Sequence, residues 1–154
     1  MTSISINNLF NSKTLLNNVS ITGWVKTFRQ SGKIAFIEIN DGSTIKNLQV
    51  VVRNDMISDF ANLCNKIKIG VALIATGDVK INEKLSSFEL SSNEINILKG
   101  SDEDYPLQKK QHSFEFLRDI SHLRPRTTTI AAIMKVRSNL AFAIHKFFNE
   151  NGFT

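Results

Sequence analysis

A mainly β fold, a small closed barrel of five strands with one helix between the third and fourth, is predicted by three observations. Short apolar runs alternate with period two across residues 19–98. One segment in their midst switches to three- and four-residue spacing, and Asn40-Asp41-Gly42 marks a tight reversal between two of the runs. With 154 residues, 42% apolar and 21% charged, the chain can bury a core for one such domain and still has length to spare.

In the first strand Val19, Ile21, Gly23 and Val25 alternate with Ser20, Thr22, Trp24 and Lys26, a half-buried pattern with a glycine where the strand can bend. Ala35, Ile37 and Ile39 alternate with Ile34, Phe36 and Glu38 in the second, and the Asn-Asp-Gly turn leads into a third over residues 45–52. The period then lengthens. Met56, Ile57, Phe60, Leu63, Cys64 and Ile67 recur at helical intervals behind Asn54 or Asp55 as N-cap, which predicts about three turns. Val71, Leu73, Ala75, Gly77, Val79 and Ile81 restore the alternation for a fourth strand; a polar turn at 82–84 leads to a fifth over 88–98. Three strands, a helix and two strands is the order of the Greek-key barrel called the OB-fold, whose inserted helix closes one end, whereas SH3-like barrels usually lack it.

The domain organisation that follows is a barrel over 1–100, a linker over 101–127 and the start of something further over 128–154. Asp102-Glu103-Asp104, Tyr105-Pro106 and Lys109-Lys110 read as a solvated connector rather than a site. Beyond it Ile130, Ile133, Met134, Leu140, Ala141, Ile144, Phe147 and Phe148 hold a helical repeat, with Thr127 to Thr129 placed to cap it and Gly152 to stop it. An amphipathic helix of about six turns needs a partner surface. The barrel fills its own core, so the helix is expected to open a second domain or a dimer interface continuing past Thr154.

Composition removes several classes of function. A single cysteine, Cys64, forms no internal disulfide and no cysteine-based metal cluster, which excludes a secreted disulfide scaffold. The first ten residues lack a basic start followed by an apolar run, and no stretch is long and apolar enough to span a bilayer, so no membrane is expected and the location read is cytoplasmic. The net charge of +5 favours a polyanionic partner, although Lys-rich coding from an AT-rich genome explains the same excess. His112, His122 and His145 are not at metal-ligand spacing, and there is no Gly-rich phosphate loop or nucleophile elbow. No catalytic, cofactor-binding or metal-binding residue is assigned.

The outer face of strands two and three is the usual binding surface of an OB barrel. If Ala35, Ile37 and Ile39 point inward, Phe36 and Glu38 point out; if Leu48, Val50 and Val52 point inward, Gln49 points out. Either Phe36 is exposed in order to stack on a base, or the parity is shifted and it lies in the core. Gln49 offers both a donor and an acceptor to a base edge, yet alone is ordinary surface. Arg29, beside Gln30-Ser31-Gly32-Lys33, either pairs with phosphate or stacks, or is simply solvated.

Gly23-Trp24-Val25, Arg29, Gly32, Phe36-Ile37, the Asn40-Asp41-Gly42 turn and Leu48-Gln49-Val50-Val51 resemble the anticodon-binding OB domain of the class II aspartyl, asparaginyl and lysyl-tRNA synthetases. Tyr105-Pro106-Leu107-Gln108-Lys109-Lys110, His112-Ser113, Glu115-Phe116-Leu117-Arg118 and His122-Leu123-Arg124-Pro125-Arg126-Thr127 resemble the asparaginyl enzymes in particular. Phe116-Leu117-Arg118-Asp119 departs from the Arg-Tyr-Leu-Asp-Leu-Arg type of segment of an aspartyl enzyme. The resemblance implies that Phe36 stacks on the central uridine of the tRNA anticodon, Gln49 reads its edge, Arg29 supports the loop and Glu89 reads a neighbouring base. It implies an asparagine–tRNA ligase as parent, using ATP and magnesium, and a helix over 128–154 that opens the class II α/β catalytic domain and builds a homodimer interface. Motifs 2 and 3 of that class are not in this sequence, so the chain alone is expected not to catalyse aminoacylation.

Two other functions compete with this one. A free-standing OB protein binding single-stranded nucleic acid without sequence preference would carry several stacking aromatics, whereas strands two and three offer only Phe36. A protein-interaction fragment would explain the last helix but not the barrel face.

Overall fold

The computed structural model describes residues 2–12, 15–82 and 87–154. These form two compact units, 1–110 and 111–154. The first holds strands β1 (Thr2–Ser3), β2 (Val19–Ser31), β3 (Ile34–Asn40), β4 (Leu48–Arg53), β5 (Ala72–Asn82) and β6 (Ser87–Lys99), with helices α1 (Ile6–Ser12) and α2 (Phe60–Lys66). Neighbours run β1-β2-β3-β4-β6-β5, and β5 returns to pair with β2. Strands β2 to β6 therefore close into the predicted five-stranded OB barrel, with β1 added in parallel to the start of β2. Within the barrel β4 and β6 pair in parallel, and the other pairs are antiparallel.

Alternation fixes which side chains fill the barrel. Ile21 and Val25 of β2, Ala35, Ile37 and Ile39 of β3, Leu48, Val50 and Val52 of β4, and Leu73, Ala75 and Val79 of β5 meet Leu90 of β6 in one core. Each fully buried Val, Leu or Ile contributes about 1.5–3 kcal/mol. Register slips at Val25/Thr27, Ala72/Leu73 and Thr76/Gly77 mark the bulges that bend a flat ribbon into a barrel. Two glycines permit close approach of strand backbones: a Cβ on Gly23 would lie 2.8 Å from the Asn40 carbonyl oxygen, and one on Gly77 only 2.1 Å from that of Ser91.

Two boundaries differ from the sequence expectation, each for a local reason. The third strand starts at Leu48 rather than at residue 45, because the Asn40 side-chain amide donates to the carbonyls of Thr44 and Lys46 and folds 41–47 into a loop. Ile45 is left exposed. Helix α2 starts at Phe60, four residues later than Met56, and is shorter than three turns. Asn54 and Met56 instead close a turn onto Lys33 and Arg53, and Asp59 holds a non-helical backbone with φ −123°. Of the polar turn expected at 82–84, Asn82 is the last residue of β5, and residues 83 and 84 lie outside the described residues.

Helix α1 had no counterpart in the sequence reading. Ser5 caps it by accepting from the Asn8 N–H at 3.2 Å, and the loop after β3 reaches across to do the rest. The Ile6 N–H donates to Asp41 Oδ2 at 2.8 Å and the Asn7 N–H to Ser43 Oγ at 3.0 Å. Ile6 and Leu9 are then buried in the barrel core, and Phe10 stacks on Phe88 at the start of β6. A 7-residue helix has too few internal bonds to stand alone, so these outside acceptors hold it. Asp41→Ala is expected to cost about 1–2 kcal/mol, measured as a lower urea midpoint with an unchanged slope.

Residues 101–110 are compact with the barrel. Lys68 Nζ reaches Glu103 at 3.2 Å, the Tyr105 ring lies over Gly70, and Leu107 is buried. The second unit contains α3 (Phe114–Asp119), a single 3-10 turn (Arg124–Arg126) and α4 (Thr128–Glu150). Ser113 caps α3 by accepting from the Phe116 N–H. Thr127 stands at the N-cap of α4, but its hydroxyl donates backward to the Arg124 carbonyl. Gly152 ends the helix as expected, at φ 81°, with Phe153 N–H on the Phe148 carbonyl and the two rings edge to face at 5.7 Å. No residue of α4 is buried, and Leu140, Phe142 and Phe147 are more than half exposed.

Candidate nucleic-acid interface

Strand register sets two rows of side chains across the outside of the barrel. Arg29 of β2, Phe36 of β3, Val51 of β4 and Ser91 of β6 form one row; Thr27, Glu38, Gln49 and Glu89 form the next, ending at Lys80 of β5. The core residues Ala35, Ile37, Leu48 and Val50 alternate with these and are 0–1% exposed. Phe36 is therefore outward and half-buried, not in the core, and Gln49 shares its face as a diagonal neighbour.

All four candidates from the sequence come together on this surface. The Arg29 guanidinium lies over the Phe36 ring, 4.8 Å from its centroid, a cation–π contact that gives one exposed residue a fixed place. Gln49 Nε2 donates to Glu89 Oε2 at 3.2 Å, a pairing between residues 40 apart that only the parallel β4–β6 ladder brings about. Glu89 is thus part of a network rather than a solitary surface carboxylate.

The sequence reading missed two contributors. Asn82, at the end of β5, donates from Nδ2 to the same Glu89 Oε2 at 2.8 Å. Asn47 donates to Glu38 Oε2 at 3.3 Å, tying the loop before β4 to the same row. Both are amides at or beside a strand end, where their default role is local, and nothing in linear spacing points either at its acid. Chemically, the face combines a ring able to stack, a guanidinium beside it and a carboxylate–amide cluster able to hydrogen-bond a base edge.

Other features fall elsewhere. An open cleft between α2 and the end of β6, bordered by Asn62, Lys66, Asn96 and Ser101, holds none of the four residues. Cys64, on the buried side of α2, has its thiol pushed up by burial, which keeps it neutral as an apolar filler. Among the described residues there is no group of three or more His, Cys, Asp or Glu able to hold a metal ion, and no helix long and apolar enough to cross a membrane.

Residues 19–98 match the family described as the OB-fold nucleic acid binding domain. The asparagine–tRNA ligase of Acetivibrio thermocellus is 50% identical over 136 residues, covering 88% of this chain and 29% of that protein. That of Borreliella burgdorferi is 43% identical over 151 residues, covering 97% of this chain and 33% of that one. The crystal structure of asparaginyl-tRNA synthetase from Pyrococcus horikoshii superposes with a TM-score of 0.81 at 26% identity, covering 97% of this chain and 36% of that one. The chain thus spans about a third of the length of these proteins.

Proposed function

Because the chain belongs to the family of OB-fold nucleic acid binding domains, we propose that it is the tRNA-binding N-terminal part of an asparagine–tRNA ligase and reads the anticodon with the outer face of its barrel. Phe36 stacks on the central base, a uridine; Gln49 hydrogen-bonds its Watson–Crick edge; Arg29 steadies the loop; and Glu89 serves the neighbouring base and Gln49 together. The single observation that carries this reading is the convergence of Phe36, Arg29, Gln49 and Glu89 on adjoining rows of one face. Relatives at 43–50% identity that bear the ligase name support the choice of tRNA over other nucleic acids.

The parent enzyme joins asparagine to its tRNA at the expense of ATP with magnesium, in the cytoplasm, as a homodimer built partly on α4. No acidic cluster among the described residues fits a magnesium site, so that chemistry is proposed for the remainder of the longer ligase. On this view α4 is the first element of the catalytic domain, and residues 1–154 alone bind RNA without aminoacylating it.

A set of anticodon stem-loops differing only in the three anticodon bases tests the reading. Wild-type chain is expected to prefer the asparagine anticodon, and equal affinity for every loop would reject the assignment. Gln49→Ala is expected to narrow the preference at the central base by about tenfold, while the stacking contribution of Phe36 persists for every pyrimidine.

A further inference from the structure

The contacts of Gln49 bear on how a side-chain amide can tell one pyrimidine from another. An amide oxygen and an amide nitrogen have nearly the same size, and a free glutamine can turn over to present either in either place. Uracil and cytosine differ at their shared edge by that same exchange: uracil offers N3–H beside O4, cytosine N3 beside an N4 amino group. A glutamine free to flip therefore satisfies both, and stacking on Phe36 does not separate them.

Gln49 is not free. Glu89 Oε2 lies 3.2 Å from its Nε2, and a carboxylate accepts hydrogen bonds without donating any. The NH2 group of Gln49 must face Glu89, and its Oε1 must turn away. Asn82 Nδ2, at the last residue of β5, donates to the same oxygen at 2.8 Å and so holds the carboxylate from the neighbouring strand. Glu89 also sits directly opposite Gln49 in the parallel ladder, so backbone pairing keeps the two side chains side by side.

We infer that Glu89 and Asn82 are positioning residues that lock the orientation of the Gln49 amide, and that this lock is what makes the face discriminate uracil from cytosine. The inference rests on the proposed reading of the central anticodon base. It differs from that reading in assigning specificity to a carboxylate acting through Gln49 instead of touching the base. Replacing the carboxylate by an amide removes the lock while conserving shape. Three amides in contact have two self-consistent arrangements, each the reverse of the other, so Gln49 regains both orientations.

The experiment measures affinities of the full chain for two stem-loops that differ only in U or C at the central anticodon position. Wild type is expected to favour U by about tenfold or more. In Glu89→Gln the U:C affinity ratio is expected to fall to within about threefold, whatever change both loops share from the contact of Glu89 with the neighbouring base. Asn82→Ala is expected to move the ratio in the same direction by a smaller factor. A ratio that falls while the thermal melt stays at that of wild type separates the lock from a general loosening of the barrel. A U:C ratio in Glu89→Gln equal to that of wild type would overturn the lock while leaving the anticodon reading intact. Wild type that does not distinguish the loops, together with no loss in Phe36→Ala, would instead sink the reading itself.

Discussion

Gly77→Ala is expected to lose about 3–5 kcal/mol of folding stability, a large share of the 5–15 kcal/mol of an ordinary domain. The added methyl would sit 2.1 Å from the Ser91 carbonyl oxygen and 2.7 Å from Ser92 Cα, both backbone atoms of β6. Neither strand can retreat. Gly77 is paired with Val19 of β2 on one side and Ser92 of β6 on the other, where the barrel closes on itself. The buried Ser92 hydroxyl, 2.9 Å from the carbonyls of Thr76 and Glu94, staples the same bulge. Gly23→Ala serves as the milder comparison, with its nearest atom at 2.8 Å. Urea titration of the three proteins should order them wild type, Gly23→Ala, Gly77→Ala; a midpoint for Gly77→Ala equal to that of wild type would show that the closure can open to admit a methyl group.

Phe36→Ala is expected to weaken binding of the cognate anticodon stem-loop by about 1–3 kcal/mol, or roughly 5- to 150-fold. The ring is outward and half-buried, so its removal takes a stacking platform from the binding face without opening a cavity in the core. Arg29 loses its seat at the same time, since its guanidinium lies over that ring. Stability should change little, which separates this variant from Gly77→Ala. Fluorescence anisotropy with a labelled stem-loop gives the affinity, and a thermal melt confirms that the fold persists. Phe36→Trp should restore most of the affinity, because any flat aromatic surface can stack. An unaltered affinity in Phe36→Ala would place the RNA elsewhere on the chain.

Periodicity made the barrel legible. Each strand carries its own inside and outside, so the side on which Phe36 and Gln49 lie follows from counting by twos. The partner of Gln49 could not be counted in that way. Glu89 comes beside it through a ladder between strands separated by a helix and a third strand, and its register depends on bulges that leave no mark in a single run. Helix α1 escaped notice for a related reason: Asn7, Asn8 and Asn11 are weak helix formers, and the segment is held by Asp41 and Ser43 from a distant loop. The late start of α2 shows local polar chemistry overriding an apolar repeat, with Met56 left exposed in a turn.

Closure by the parallel β4–β6 pair also orders events while the protein is being made. The N-terminal strands can collapse early, but Glu89 and the last side of the barrel emerge from the ribosome only with β6. A nascent chain halted short of that strand has its ring and its glutamine, yet neither a sealed core nor a carboxylate to orient the amide. Competence for selective RNA recognition is therefore acquired in one step, when β6 closes the barrel.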